Sequence, residues 1–247
     1  MASIRRAAWL PSPPDVRPGR DEVHVWRAAL DRDDSEVERL WAALTPDERE
    51  RAQRFHFDRD RRRFVVARGV LREILGRCLV LAPALIRFAY NEYGKPSLRE
   101  DAGGLRFNAS HSAGAALYAC TLGREVGVDI ELLRDDFASF EIAERFFSQA
   151  EVRSLGSLPA HMRTQGFFNC WTRKEAYIKA LGKGLSHPLD SFSVSLAPGE
   201  PARLISTDKD PLEAARWSIV DLKPYRGYAA ALAVGGSAPE IQCWDWQ

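Results

Sequence analysis

Two acidic residues stand two positions apart in the segment Val126–Glu131. Read as a β-strand, the segment alternates with a period of two, so Asp129 and Glu131 share one face and the apolar side chains share the other. Two carboxylates on one face repel each other unless a cation lies between them, and a hard divalent ion such as Mg2+ takes oxygen ligands. The alternative is a strand end with two solvated acids.

A second candidate pair lies on the predicted helix Phe167–Leu181. Glu175 and Lys179 are four residues apart and therefore share a face of that helix. The same spacing is that of an ordinary surface ion pair, worth about 0.3–0.5 kcal/mol. The spacing alone leaves both interpretations open.

Glu151 and His111 are also candidates, and each has a structural explanation. Glu151 ends the sequence Ser148-Gln149-Ala150-Glu151, which is typical of a helix capping box and accounts for the acid without any chemistry. His111 follows a short apolar segment, Leu105–Asn108, and a turn residue before the next strand would explain it equally well.

Residues 49–63 are unusually basic, and their cations are interleaved with Phe55, His56 and Phe57. One interpretation is a solvated helix face with acidic partners, and the other is a phosphate-binding patch. The arginines of this segment are Arg49, Arg51, Arg54, Arg59, Arg61, Arg62 and Arg63.

The composition is that of a globular protein, with 247 residues, 45% hydrophobic and 28% charged. A formal net charge of +1 gives no bulk basicity and argues against a nucleic-acid partner. The four cysteines form no CxxC pair and indicate free thiols in a reducing compartment. We see no secretory signal and no apolar run near the ~20 residues of a membrane span. We expect a soluble cytoplasmic protein with no membrane partner.

Helices and strands do not alternate strictly, which favours an α+β fold over a parallel α/β sheet. Start signals and apolar periodicity predict helices from Ser35 to Leu44, after Thr45, from about Asp60 to Leu79, over Phe140–Phe147 and after Ser148, besides Phe167–Leu181. Predicted strands are Glu22–Leu30, Ile86–Tyr90, Ala115–Leu122, Val126–Glu131, Phe192–Leu196, Arg203–Ser206, Trp217–Asp221 and Tyr228–Val234.

The tight turn Gly123–Glu125 predicts that the two strands around it form an antiparallel hairpin. The strands that begin at Tyr118 and Tyr228 are similar, which hints at an internal duplication. We expect a flexible N-terminal arm at residues 1–21, an N-terminal α+β half at 22–124 and a C-terminal α+β half at 125–247.

Several motifs, in order over about residues 45 to 235, make the chain resemble the larger, Sfp-type 4'-phosphopantetheinyl transferases. The motifs are Tyr93-Gly94-Lys95-Pro96, Phe107-Asn108-Ala109-Ser110-His111-Ser112, Gly127-Val128-Asp129-Ile130-Glu131, Phe146-Phe147-Ser148 followed by Glu151, the run from Trp171 to Lys179, and Leu189–Val194.

The resemblance implies a fold and an activity. The fold would be two similar pseudo-twofold-related halves, each a small antiparallel sheet packed with helices, with the active site between them. The enzyme would transfer the 4'-phosphopantetheine arm of coenzyme A to a serine of a carrier protein, require Mg2+ and release adenosine 3',5'-bisphosphate. Acyl and peptidyl carriers of fatty-acid, polyketide or nonribosomal-peptide synthesis would be its partners.

The resemblance also assigns roles to residues. Asp129, Glu131 and Glu175 would hold Mg2+, Lys179 would stabilise charge on the leaving group, and Glu151 would act as general base. Cofactor binding would fall to His111 and Lys179 on the phosphates with Ser110 orienting nearby, to the nucleotide-lining Gly94, Lys95 and Pro96, and to the arginines near the 3'-phosphate, Arg49, Arg51, Arg63 and Arg68.

Residues Ala180 to Ser191 would meet the acidic carrier, with Lys183, Leu181 and Leu185 available, although core packing explains the leucines as well. Two fused halves give no need for oligomerisation, so we expect a monomer. Two other functions stay open. One is a non-catalytic coenzyme A- or nucleotide-binding regulator, which would have no use for a third metal acid; the other is a phosphohydrolase, for which the sequence lacks a second metal cluster.

Overall fold

The computed structural model describes residues 8–100, 102–208 and 210–247, except for the side chain of Leu185. Within them the chain is α+β. The helices are α1 (Asp34–Ala43), α2 (Pro46–Gln53), α3 (Asp58–Leu79), α4 (Phe140–Phe146), α5 (Gln149–Ser157) and α6 (Ala160–Leu181). The strands are β1 (Trp9–Pro11), β2 (Glu22–Ala29), β3 (Phe88–Tyr90), β4 (Pro96–Leu98), β5 (Leu105–Ser112), β6 (Ala115–Leu122), β7 (Val126–Leu132), β8 (Phe192–Val194), β9 (Leu204–Thr207), β10 (Trp217–Leu222), β11 (Tyr228–Gly235) and β12 (Glu240–Asp245).

The helices begin where the sequence provides caps. Thr45 and Glu48 form a capping box ahead of Pro46 at the start of α2, as predicted. For α1 the predicted cap was wrong by two residues: the carboxylate of Asp33 accepts from the backbone N–H of Glu36, and the Ser35 hydroxyl donates to Asp33 instead. The Asp33 carboxylate, two residues before Ser35, thus accepts from an N–H group of the first helical turn that has no partner within the helix.

The first half is built on a five-stranded sheet in the order β1-β12-β2-β6-β5. It is mixed, not purely antiparallel, because β12 runs parallel to both β1 and β2. Helix α3 contributes Val70 and Ile74 to the core that contains Trp26 and Tyr118 of this sheet. The second half is a three-stranded antiparallel sheet, β10-β11-β7, whose core includes Phe167 and Ile178 of α6.

Two expectations about connectivity were wrong. Strand β7 pairs with β11 rather than with β6, since both edges of β6 are already taken by β2 and β5. The turn at residues 123–125 therefore carries the chain from one sheet to the other. Strand β12 returns to the first sheet, so residues 240–245 belong with the N-terminal half and not with the C-terminal half.

The predicted arm at residues 1–21 is partly ordered, because Trp9–Pro11 forms β1 at the edge of the first sheet. Residues 1–7 lie outside the described part. The two halves share a third core, in which Val25 and Leu117 of the first sheet pack with Val128, Ile130 and Leu232 of the second. Strands β5 and β7 therefore lie at the junction of the halves, and the candidate residues are carried on both sides of it.

Candidate active site

Asp129 lies at the centre of the junction and is 2% exposed. Its Oδ1 accepts from the hydroxyl of Ser110 on β5 at 2.8 Å and from the ammonium of Lys179 on α6 at 2.5 Å. Its Oδ2 is buried and has no hydrogen-bond partner among the described residues. A buried carboxylate oxygen without a partner is costly, and a cation would relieve that cost.

Glu131 projects from the same face of β7, two residues further on. Its Oε2 accepts from the hydroxyl of Ser112 at 2.6 Å. Burial raises the pKa of Glu131, the Ser112 hydrogen bond lowers it, and the neighbouring charge of Asp129 raises it again. The two carboxylates therefore interact unfavourably, as the period-two pattern predicted.

Helix α6 brings Glu175 and Lys179 to this strand because Gly127 permits a very close approach. A Cβ at residue 127 would lie 2.1 Å from the carbonyl oxygen of Ala176 and 2.4 Å from the backbone nitrogen of Ala180, so no side chain fits there. Burial and then the charge of Asp129 raise the pKa of Glu175, Lys179 opposes the rise and Glu131 adds to it, and together they bring the pKa to about 7. The three predicted metal ligands, Asp129, Glu131 and Glu175, therefore lie close enough for electrostatic repulsion between them.

The donor chemistry of this cluster fits Mg2+. All of its donors are carboxylate oxygens, which Mg2+ prefers. The pKa values of Glu131 and Glu175 are raised by burial and by the charge of a neighbouring acid. The cluster also contains the buried Oδ2 of Asp129, which has no hydrogen-bond partner among the described residues. Within residues 8–100, 102–208 and 210–247, no three His, Cys, Asp or Glu side chains already stand in an arrangement that holds a metal ion. The Lys179 ammonium neutralises Asp129 in the arrangement seen here.

His111 and Ser110 complete the polar surface around Lys179. The Lys179 ammonium donates to the Ser110 hydroxyl at 2.8 Å. The protein packed around His111 lowers the pKa of its imidazole, and the nearby Lys179 charge lowers it further. His111 is therefore neutral near pH 7, and the residue is exposed to solvent.

The turn that contains Gly94, Lys95 and Pro96 connects β3 to β4 and meets the end of α6. Gly94 has a φ of +81°, and open space surrounds the position of its absent Cβ. The Lys95 ammonium donates to the carbonyl of Ala180 at 2.9 Å and pairs with Glu125 at 3.4 Å. Lys95 therefore caps the C-terminal end of α6, where a cation is favoured. Its ammonium already has protein partners, the Ala180 carbonyl and Glu125.

Three of the four candidate arginines are bound to groups of their own chain. Arg49 donates to the carbonyls of Trp41 and Ala42. Arg63 pairs with Asp31 at 2.7 Å. Arg68 pairs with Glu48 at 2.6 Å and donates to the Tyr90 hydroxyl.

Arg51 differs from the other three arginines. Its guanidinium makes no hydrogen bond or ion pair with any residue that the structure describes. It lies 5.4 Å from the ring centre of Phe64 and lines a surface cleft with Asp47, Arg54 and Phe55.

The structure contradicts the expectation that Glu151 is the general base. Glu151 is 2% exposed, and it forms the capping box of α5 with Ser148. Its Oε1 accepts from the backbone N–H of Val194 at 2.7 Å, and its Oε2 pairs with the buried ammonium of Lys174 at 2.8 Å. Both oxygens are committed inside the C-terminal half, and a carrier serine has no access to them.

Sequence reasoning missed two residues of the junction, Asn108 and Ser112. Asn108 Oδ1 accepts from the backbone N–H of Val128 at 2.9 Å, and Ser112 holds Glu131. The available signal was the alternation of polar side chains at 108, 110 and 112, which places all three on one face of β5.

Comparisons with known proteins identify the class. A family model for the 4'-phosphopantetheinyl transferase superfamily matches residues 125–233, and a model for the N-terminal part of 4'-phosphopantetheinyl transferases matches residues 29–122. The chain is 41% identical over 240 residues to 4'-phosphopantetheinyl transferase HetI of Nostoc sp., covering 96% of this chain and 98% of that protein.

Against 4'-phosphopantetheinyl transferase Sfp of Bacillus subtilis the identity is 38% over 161 residues, or 65% of this chain and 70% of that one. A crystal structure of Thermotoga maritima holo-[acyl-carrier-protein] synthase (AcpS) covers 46% of this chain and 63% of its own, with a TM-score of 0.37 and 24% identity.

The chain belongs to the 4'-phosphopantetheinyl transferase superfamily. Within that superfamily it is an enzyme of the larger Sfp type. No helix in the described part of the chain is long and apolar enough to cross a membrane.

Proposed function

We propose that this enzyme transfers 4'-phosphopantetheine from coenzyme A to a serine hydroxyl of an acyl or peptidyl carrier protein in a Mg2+-dependent reaction. A bond forms between the serine oxygen and the β-phosphorus of coenzyme A. The bond from that phosphorus to adenosine 3',5'-bisphosphate breaks, and one proton is released. The observation that carries the proposal is the cluster of Asp129, Glu131, Glu175 and Lys179 at the junction of the halves.

Asp129, Glu131 and Glu175 are the residues that would hold Mg2+. The bound ion supplies charge neutralisation for the pyrophosphate of coenzyme A. Supporting evidence is the all-oxygen donor set, the unpartnered Oδ2 of Asp129 and the mutual repulsion of the acids. Because the acids come from β7 and α6, their separation depends on the packing of that helix on that strand.

Lys179 stabilises the negative charge that builds on the leaving phosphate. Its side chain is 29% exposed, so it can contact a ligand while remaining bound to Asp129 and Ser110. The stabilisation is large where the cation is already oriented and partly desolvated. His111, neutral near pH 7, donates a hydrogen bond to a phosphate oxygen from the exposed side of the same site.

The 3'-phosphate of coenzyme A is assigned first to Arg51, whose guanidinium is free to pair with it beside the cleft lined by Asp47, Arg54 and Phe55. Arg49, Arg63 and Arg68 would have to exchange their present partners. The backbone at Gly94 and Pro96 lines the nucleotide-binding part of the site. Lys95 supports the site indirectly, by its hydrogen bond to the carbonyl of Ala180 at the end of α6.

The carrier protein approaches the segment between Ala180 and Ser191, where Lys183 is exposed and matches an acidic partner helix. Leu181 is partly buried and packs on the core of the second half, so it contributes less to that surface. Both halves of the site lie in one chain, and the enzyme acts as a monomer. The free thiols of its buried cysteines are consistent with a reducing, cytoplasmic environment.

The experiment is incubation of an apo carrier protein with coenzyme A and Mg2+, followed by intact-mass measurement. The expected result is a gain of one phosphopantetheine unit per carrier, lost when a chelator removes the metal. Carriers of the three biosynthetic classes are tested in parallel. No mass gain with any of them, under conditions where coenzyme A binds tightly, would overturn the proposal in favour of a binding protein without transfer activity.

A further inference from the structure

Strands β5 and β7 run side by side at the junction of the halves without a main-chain ladder between them. The ladder of β5 is with β6, and the ladder of β7 is with β11. Among the described residues, the contacts between them are made by side chains of β5 instead. This leaves the relative position of the two strands to a few polar groups.

Two of these groups replace ladder hydrogen bonds. The Oδ1 of Asn108 accepts from the backbone N–H of Val128 at 2.9 Å, and the Oγ of Ser112 accepts from the backbone N–H of Leu132 at 3.2 Å. Both contacts join residues 20 positions apart in the chain, so the two specify one and the same register. They also satisfy N–H groups of β7 that would otherwise be left without partners at the junction.

The same row of side chains reaches the acids. Between the two backbone contacts, Ser110 donates to Asp129, and Ser112 donates to Glu131 at 2.6 Å. The Ser112 hydroxyl is thus used twice: it receives the Leu132 N–H and gives its own proton to the carboxylate. Because the Ser112 hydroxyl accepts from the Leu132 N–H, its own proton points in a defined direction. The hydrogen bond that it donates therefore orients the Glu131 carboxylate.

Orientation of Glu131 matters because repulsion acts against it. The carboxylate is half-buried, and the nearby charge of Asp129 acts on it. Without a donor it would turn toward solvent, away from the other acids, and the cluster would lose one of its ligands. Loss of a group that hydrogen-bonds to a metal ligand and orients it typically weakens metal binding by about 10–100-fold.

We propose that Ser112, supported by Asn108, is a positioning residue that holds Glu131 in place for the divalent ion and fixes the register of the two halves. This inference rests on the proposed metal site. Ser112 touches the acid and not the reacting atoms, so its effect should appear in the affinity for the metal more than in the affinity for coenzyme A.

The test compares Mn2+ binding, followed by electron paramagnetic resonance, in the wild type and in Ser112→Ala. The expected result is about 10-fold weaker Mn2+ binding in Ser112→Ala, with recovery in Ser112→Thr, which restores the hydroxyl. In the transfer assay the Mg2+ concentration for half-maximal rate should rise by a similar factor, while KM for coenzyme A stays within about twofold.

Thr121→Val is the matched control. Thr121 is a fully buried hydroxyl on β6 that donates to the carbonyl of Glu22, so its loss removes one hydrogen bond far from the acids. It should lower stability without changing Mn2+ affinity. If Ser112→Ala does not fold, Ser112→Cys takes its place, because a thiol occupies nearly the same space and donates poorly.

Unchanged Mn2+ affinity in a folded Ser112 variant would overturn the positioning role. Equal weakening in Ser112→Ala and Thr121→Val would overturn it too, since general destabilisation would then explain both. A failure of the proposed function looks different: the wild type itself would transfer nothing to any carrier, whatever Ser112 does to Mn2+ binding.

Discussion

Lys179 joins several parts of the site through one ammonium group. It donates to Asp129 and Ser110, lowers the pKa of His111 and opposes the rise in the pKa of Glu175. The sequence spacing of Glu175 and Lys179 was equally consistent with a surface ion pair. The structure instead pairs the lysine with Asp129, fifty residues away in the chain, and makes it part of a buried cluster.

For Lys179→Ala we expect kcat to fall at least 100-fold, with a smaller change in KM for coenzyme A, because the charge it stabilises develops mainly as the leaving phosphate departs. Steady-state kinetics with an apo carrier measures both. Lys223→Ala, which removes an exposed lysine on a loop, is the control and should leave both constants unchanged. An unaltered kcat in Lys179→Ala would remove its role in the chemistry.

Glu175 gives the metal-free enzyme a defined pH dependence. Its pKa is raised by burial and by Asp129 to about 7, above its ordinary 4.5, so its contribution to stability is fully present below about pH 4.5 and is lost as pH rises through about 7. At 1.36 kcal/mol per pKa unit, the loss between about pH 5.5 and about pH 8 is about 2 kcal/mol.

The measurement is urea unfolding of chelator-treated protein at those two pH values, for the wild type and Glu175→Gln. Between the two pH values the unfolding free energy of the wild type should fall by about 2 kcal/mol more than that of Glu175→Gln. Parallel behaviour of the two proteins at both pH values would show that Glu175 does not titrate in this range.

Residue type and local spacing made the acids and Lys179 candidates, and the resemblance to the transferase family assigned their roles. The arginines could not be sorted in this way. Arg63 and Arg68 have acidic partners, Asp31 and Glu48, that lie far from them in the chain. Only the fold brings those partners together. Among the described residues, Arg51 is the candidate arginine whose guanidinium has neither an acidic partner nor a backbone carbonyl to donate to.

Helix caps and apolar periodicity were sufficient to predict most helices and strands, because these signals are local. The pairing of β6 with β7 was wrong for the opposite reason: a tight turn predicts a hairpin, but the edges of β6 are filled by β2 and β5. Strand β12 was missed, since the sequence gives no local sign that residues 240–245 return to the first sheet.

Helix α5 and helix α6 are joined by a buried ion pair that explains Glu151 structurally. Lys174 is 1% exposed, and besides Glu151 it donates to the carbonyls of Leu189 and Phe192 at 2.6 Å. This single ammonium therefore ties the segment after α6 back onto the helix that carries Glu175. The pair supports the site through the position of α6.

Glu151→Gln should lower the free energy of unfolding by about 3 kcal/mol, because the Lys174 ammonium is left buried without its counter-charge. Transfer should persist at temperatures where the variant is folded. Thermal or urea unfolding and the transfer assay are run together, with the exposed Glu200→Gln as the neutral control. A variant of wild-type stability that transfers nothing would restore Glu151 as a base.

The site exists only where the two halves of the molecule meet. Strand β5 supplies the orienting hydroxyls, β7 supplies Asp129 and Glu131, and α6 supplies Glu175 and Lys179. The shared core of Val25, Leu117, Val128, Ile130 and Leu232 fixes this junction. Sequence reasoning predicted two halves with a site between them, but not the crossing of β12, which links the second half back to the first sheet.

The central claim, that acids from β7 and α6 hold one Mg2+, is tested most directly by calorimetric titration of Mg2+ into the enzyme with coenzyme A present. We predict one ion bound per chain in the wild type and at least 100-fold weaker binding in Asp129→Asn, which keeps the shape of the side chain and removes its charge. Equal Mg2+ affinity in the two proteins, both folded by circular dichroism, would contradict the account.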